Sequence, residues 1–136
     1  MNKIILVTLL VTTICFIGCK DDATTNSTPS NIPVVANTTN AFSYSIVANS
    51  YSSSTDYNLT FTSDSLSCTI TVTNQTLGNA SVKILDSTNS IVYSDSLLSN
   101  KVVAFTQANK GIPKTLKLTF NNYTGTLIFA LSRNKK

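Results

Sequence analysis

Apolar and polar positions alternate along most of the chain from Ala41 onward. The alternation is clearest between Leu66 and Thr73, where Leu, Cys, Ile and Val side chains alternate with Ser and Thr hydroxyls. A period of two is typical of a strand with one buried face. β-Branched Thr also suits the solvent side of a pleated surface. We therefore predict a half-buried strand here, with Cys68 as a small buried hydrophobe.

The same period predicts further short strands. They begin near Phe42, Tyr57, Val82, Ile91, Val103, Leu116 and Leu127. The last segment is apolar on both faces at Ile128 and Ala130, which predicts a central strand covered on both sides. The three glycines after residue 40 fall between segments and predict loops. About eight strands without a helical window predict an all-β antiparallel β-sandwich over residues 41–136, immunoglobulin-like or jelly-roll-like.

Residues 1–18 have a different pattern. Lys3 gives a basic start, and Ile4 to Ile17 is a short, mostly apolar run followed by Gly18. A transmembrane helix needs about 20 apolar residues, so this run is too short to span a membrane. A basic start, a short apolar stretch and a small residue before a cut are typical of a secretory signal peptide.

The end of this segment carries a motif. Phe16-Ile17-Gly18-Cys19 resembles the lipobox of bacterial lipoproteins, although Phe16 stands where that class usually has Leu. The resemblance implies cleavage after Gly18 and a diacylglycerol thioether on Cys19, a modification that needs a thiolate nucleophile. The membrane would then be a partner through the N-terminal lipid. An ordinary secretory signal with a chance cysteine is the alternative.

The residues after the cysteine bear on the destination. In Gram-negative lipoproteins an Asp directly after the cysteine favours retention at the inner membrane, and this chain has Lys20 there. The resemblance therefore implies an exported protein, lipid-anchored to the outer membrane. Lys20-Asp21-Asp22 also resembles the short acidic export tag of some surface-exposed lipoproteins. The alternative is a charged start to a linker.

Residues 19–40 are rich in Ser, Thr and Asn and have no regular period. Pro29, Pro33 and the polar runs predict a flexible stalk that ends where the domain begins at Ala41. The alternative is that Ile32, Val34 and Val35 form a first edge strand.

Composition argues against an enzyme. The sequence has no His, Glu or Trp, so the commonest general base and metal ligand is missing. The carboxylates after residue 40 are Asp56, Asp64, Asp86 and Asp95, all at predicted strand ends or loops, where Asp is a common turn former. Cys68 has no His to activate it. We predict no catalytic residues, no cofactor and no metal site.

Charge is unevenly distributed. Residues 41–79 contain two Asp and no base, whereas residues 80–136 contain eight Lys or Arg and two Asp. This predicts either a basic face for anionic glycans or lipid headgroups, or a solvated surface with a basic C-terminus, and we favour the latter. No motif combines aromatic and basic residues for stacking on bases, so we predict no nucleic-acid partner.

Three triplets begin with aspartate: Asp64-Ser65-Leu66, Asp86-Ser87-Thr88 and Asp95-Ser96-Leu97. They resemble the acceptor sequence of a periplasmic O-glycosylation system of some Gram-negative bacteria. The resemblance implies Ser65, Ser87 and Ser96 as glycosylation sites. Chance matches are the alternative in a chain this rich in Ser and Thr.

These features together predict a lipid-anchored cell-envelope protein. Its small β-sandwich would be a binding or structural module on a flexible stalk, with an envelope protein or a glycan as partner. The alternative is a carbohydrate-binding module of the cell surface. Such modules bind sugars on exposed aromatic side chains, and Tyr51 and Tyr123 are the candidates for that role.

Overall fold

A computed structural model describes residues 30–134, and the regular structure of this range is entirely antiparallel β-sheet. The strands are β1 (Val34–Asn37), β2 (Ala41–Asn58), β3 (Leu66–Leu85), β4 (Ile91–Leu97), β5 (Lys101–Gln107) and β6 (Thr115–Arg133). They form one sheet in the order β1-β2-β6-β3-β4, with β5 also paired to β3. Within the described range there is no helix long and apolar enough to cross a membrane.

The three central strands are long, and each is interrupted near its middle. The pairing register shifts between Ala48 and Ser53 in β2 and between Thr73 and Asn79 in β3. The same positions hold left-handed backbone, which only Gly and Asn adopt readily. The residues with positive φ in these strands are Ser50, Asn74, Gly78, Asn122 and Gly125. Because the interruptions are aligned across β2, β6 and β3, the whole sheet bends along one line.

The bend divides the sheet into two layers. The first layer contains β1, the starts of β2 and β3, the end of β6, and β5. The second layer contains the end of β2, the start of β6, the end of β3, and β4. Each half of β3 thus has its own outer neighbour, since residues 66–72 pair with β5 and residues 80–85 pair with β4.

Aromatic contacts show that the two layers face each other. Phe42 and Tyr57 lie near opposite ends of β2, yet their ring centroids are 5.2 Å apart. A straight strand would separate them by roughly 50 Å. Tyr44 in the first layer also stacks on Phe120 in the second at 6.0 Å. The core therefore lies between the layers and is continuous from Phe42 to Leu131.

Side chains close the gap between β4 and β5, the outer strands on one side. Lys101 Nζ lies 2.7 Å from Asp95 Oδ1 and donates to the Ser96 carbonyl at 3.0 Å. Gln107 Nε2 donates to the carbonyl of Val92 at 3.1 Å. Carbonyl groups at the edge of β4 are thereby satisfied without a neighbouring strand.

The opposite side is closed between β1 and the end of β2. Asn37 Nδ2 donates to the Asn58 carbonyl at 2.8 Å, and the Thr60 hydroxyl lies 3.4 Å from the Thr38 carbonyl. Polar side chains therefore close both sides of the bent sheet.

The prediction of an all-β antiparallel domain is confirmed, but the strand count differs. Because β2, β3 and β6 each continue through a predicted break, the eight predicted strands become five, and β1 adds a sixth in the described range. Gly78 and Gly125, expected in loops, lie inside β3 and β6. Glycine at a bend and glycine in a loop give the same sequence signal, since both need unusual backbone angles.

Two predicted strand faces are also corrected. Ile128 is 47% exposed, so β6 is central in the sheet order but is not covered on both sides. Ile91 is 59% exposed, while neighbouring Val92 is buried. The register shift between Ile84 and Leu85 on the partner strand displaces Ile91 from the alternation of β4.

The sheet begins earlier than the predicted boundary at Ala41. Val34 and Val35 belong to β1, which pairs with β2, so the edge-strand alternative describes this part of the predicted stalk. Asn31 is also attached, since its backbone N–H donates to the Val47 carbonyl at 2.8 Å. Its side chain makes two further hydrogen bonds, at 3.0 and 2.8 Å, with the backbone of Asn49.

We expect Gly78→Ala to destabilise the fold by at least about 2 kcal/mol. An added Cβ would lie 2.2 Å from the Asn122 carbonyl oxygen and 2.3 Å from that of Asn121, at a φ of +66°. Asn74→Gly is the matched control on the same strand, where glycine retains the φ of 54°, and its effect should stay within about 1 kcal/mol. Urea unfolding measures both changes, and equal effects would show that the bend does not depend on Gly78.

Truncation to Ala41 should lower stability by at least about 1 kcal/mol, or roughly 4–8 °C in Tm, relative to a chain that begins at Ser30. The shorter chain loses the pairing of β1 and the hydrogen bonds of Asn31. Calorimetry of the two chains tests this expectation. Identical Tm values would mean that β1 contributes nothing to the sheet.

Candidate interaction surface

The predicted lipidation and sorting residues, Gly18, Cys19, Lys20, Asp21 and Asp22, lie outside the described range. Their assignments therefore stay predictions. The described residues begin at Ser30, and Asn31 is hydrogen-bonded to Val47, close to the bend.

The tyrosines proposed for sugar binding do not form an exposed platform. Tyr123 is fully buried, and its hydroxyl donates to the Thr126 carbonyl at 3.3 Å, so its assignment to a ligand surface is wrong. Tyr51 is half-buried and packs edge-on against Phe120 at 5.2 Å. Both side chains stabilise the bend instead.

The three predicted glycosylation serines lie in different environments. Ser65 is 6% exposed at the start of β3, so the folded domain does not present it to an enzyme, and this assignment is corrected. Ser96 is exposed on β4, and Ser87 is exposed in the turn between β3 and β4. That turn depends on Asp86, whose Oδ1 accepts from the Thr88 hydroxyl at 2.7 Å and from the Ser90 N–H at 2.9 Å. These hydrogen bonds, led by that from Thr88, lower the pKa of the Asp86 carboxyl.

Cys68 is buried, as predicted, at 2% exposure. Burial, with a smaller contribution from the charge of Asp95, raises the pKa of its thiol to about 12. A thiol that is both inaccessible and protonated is a poor nucleophile. The structure therefore assigns Cys68 to the core.

The Asp95 carboxylate points inward from β4, between the two layers. It accepts from the Tyr93 hydroxyl at 3.1 Å and pairs with Lys101. Tyr93 in turn packs against Phe105 with ring centroids 4.5 Å apart. The Tyr93 hydroxyl, the Asp95 carboxylate and the Lys101 ammonium group together connect β4 to β5. Within residues 30–134, no three acidic, Cys or His side chains come together as a metal site.

The outer face of the second layer is charged. Asp56, Lys117 and Lys83 occupy one row across β2, β6 and β3, and Lys117 Nζ lies 2.7 Å from Asp56 Oδ2. Lys83 is exposed beside Lys117. The predicted basic surplus is therefore partly neutralised on this face, and Lys101 is used elsewhere, in its pair with Asp95.

Among residues 30–134, no charged side chain lies on the outer face of the first layer, and we call it the uncharged face. Its central row crosses five strands through Val34, Ser45, Ile128, Thr71 and Val102. The next row, the alanine row, crosses the same strands through Ala36, Ser43, Ala130, Thr69 and Ala104. Apolar side chains on β1, β6 and β5 thus alternate with hydroxyls on β2 and β3.

The aliphatic side chains of the central row are strongly exposed. Val34 and Val102 are each 71% exposed and Ile128 is 47% exposed. Because Ser45 and Thr71 separate these aliphatic side chains, the face is a mixed apolar and hydroxyl surface, and we take it as the candidate interaction site. Sequence reasoning identified both components, namely the outward Thr residues of β3 and the two-sided apolar pattern of β6. It did not bring them together, because the register across five strands is invisible in the sequence.

The similarity of the chain to known proteins is limited to solved structures. No protein family and no curated protein matches the chain. One similar solved structure comes from work on Bacillus endospore appendages, described as a family of disulfide-linked pili. It is 10% identical, with a TM-score of 0.45, and the match covers 78% of this chain and 95% of that one.

We expect a thiol reagent at pH 8 to modify Cys68 at least about a hundredfold more slowly in the folded protein than in urea. A pKa near 12 leaves roughly a thousandfold less thiolate than the ordinary value of 9.0, and burial blocks the reagent as well. Ser96→Cys, on the exposed side of β4, is the control and should react quickly when folded. Fast labelling of native Cys68 would contradict its burial.

The raised thiol pKa also predicts alkaline destabilisation. Between pH 9 and 12 the unfolded chain loses a proton that folded Cys68 retains, so the free energy of unfolding falls as pH rises. The slope contributed by this group approaches about 1.4 kcal/mol per pH unit. Urea titrations from pH 8 to 11 should show a shallower slope for Cys68→Ala than for the wild type. Parallel slopes would contradict the assignment.

Proposed function

We propose that the protein is a lipid-anchored protein of the cell envelope and that its β-domain is an interaction module without catalytic activity. The observation that carries the interaction role is the uncharged face, which exposes Val34, Ile128 and Val102 in one row. A soluble surface without charge across five strands is unusual unless something else covers it.

The distribution of reactive groups supports a non-catalytic role. In the described part of the chain Cys68 is in the core, Asp86 organises a turn, and Asp56 and Asp95 are paired with lysines. These groups stabilise local structure and do not converge on a common cleft. The burial of Tyr123 and the packing of Tyr51 leave the carbohydrate-binding alternative without its aromatic platform.

The segment between the proposed lipid on Cys19 and the start of the domain is short. About eleven residues separate Cys19 from Asn31, and such a segment spans at most about 40 Å. The attachment point of Asn31, beside Val47 and Asn49, lies next to the bend. A lipid on Cys19 would therefore hold the domain close to the membrane by its bend.

We expect Cys19→Ser to abolish incorporation of a fatty-acid analogue and to release the domain from the membrane. Two acyl chains anchor stably, at roughly 0.8 kcal/mol per buried CH₂, whereas the described domain has no membrane-spanning helix to replace them. Cys15→Ser is the matched control and should leave labelling and membrane association intact. Continued labelling of the Cys19→Ser chain would rule out this anchor.

A further inference from the structure

We propose that the uncharged face binds a second copy of the same chain, so that two domains pack with their first layers face to face. The proposal supplies the partner for the interaction role above. It rests on that proposed function only for the lipid anchor, which would concentrate the copies on one surface.

The size of the face agrees with this pairing. Five strands at about 4.8 Å spacing, and about four side-chain rows at about 6.8 Å spacing, give a surface of roughly 500 Å². Two such faces bury about 1,000 Å² together, which is below the size of stable specific interfaces and within the range of weak or transient ones. A dimer of that area is weak in dilute solution, and confinement of both copies to a membrane raises their effective concentration.

The lack of charge on this face favours a second copy over an anionic partner. Two copies that meet through the uncharged face bury no ionic group, and therefore incur no desolvation cost from charges. The second layer would instead bring the neighbouring Lys83 and Lys117 of each copy into the interface. An anionic lipid or polyanion would need cations, which the uncharged face lacks. A glycan would need aromatic side chains, and this face presents only aliphatic and hydroxyl groups.

The side-chain pattern suits self-packing as well. In the central row and the alanine row, apolar side chains on β1, β6 and β5 alternate with hydroxyls on β2 and β3, and Ile128 lies on the middle strand in the central row. A two-fold axis through the middle of the face places Ile128 of one copy near Ile128 of the other. Stacked sheets lie about 10 Å apart, which a short bifunctional thiol cross-linker spans.

The test is cross-linking of the full chain in the envelope of its expression host. With a short bifunctional thiol reagent, Ile128→Cys should give a linker-bridged homodimer, whereas Ser94→Cys, on the outer face of the second layer, should give at least tenfold less. The native thiol of Cys68 is buried and does not compete. Equal cross-linking at the two positions, or an adduct of Ile128→Cys with a different protein, would overturn the proposal.

A second variant tests the role of charge. Thr71→Lys, added to the Ile128→Cys chain, places a cation beside the axis on both copies and should reduce the dimer at least tenfold. Thr71→Ser should retain it. Resistance of the purified chains to proteolysis confirms that both variants fold, and undiminished dimer with Thr71→Lys would contradict the face-to-face arrangement.

The experiments distinguish failure of the proposed lipid anchor from failure of the proposed dimer. A chain that takes up the fatty-acid label at Cys19 but does not cross-link at position 128 eliminates the pairing and leaves the anchor intact. A Cys19→Ser chain at high concentration that still cross-links at position 128 supports the pairing, whatever holds the protein to the membrane.

Discussion

The bend across β2, β6 and β3 is the constraint on which the rest of this structure depends. Gly78 lies so close to the Asn121 and Asn122 carbonyls that a Cβ has no space, and Gly125 is similarly close to the backbone of Gln75. Positive φ angles at Ser50 and Asn74 complete the line. The three strands bend together because each has a residue in this backbone conformation at the same level of the sheet, glycine or asparagine in β3 and β6 and Ser50 in β2.

The bend determines which surfaces remain free. Once the layers face each other, β4 and β5 lie close enough for Lys101 and Gln107 to reach across, and β1 lies close to the end of β2. These polar contacts satisfy strand edges that would otherwise pair with other chains. The surfaces left open are the two outer faces of the layers. One carries Asp56, Lys83 and Lys117, and the other is uncharged, and it is on the latter that we propose a partner binds.

The sequence predicts the chemistry of single strands well and their continuity poorly. Alternation from Leu66 to Val72 correctly predicts one buried face and a buried Cys68, because period two depends only on local geometry. The exposure assigned to Tyr123 is wrong, since the register shifts near the bend turn its side chain into the core. The register shift after Ile84 has the opposite effect on Ile91, which is exposed where the alternation predicts a buried side chain. The uncharged face requires the pairing of five strands, which no local pattern encodes.

The central claim, that one sheet is bent on itself, is tested most directly by proton contacts within β2. In a sample with labelled Phe and Tyr side chains, nuclear Overhauser effects between the rings of Phe42 and Tyr57 report distances below about 6 Å. The bent sheet predicts strong cross-peaks, because the ring centroids are 5.2 Å apart. A β2 that runs straight would separate the rings by roughly 50 Å, and the absence of these cross-peaks in the folded protein would contradict the account.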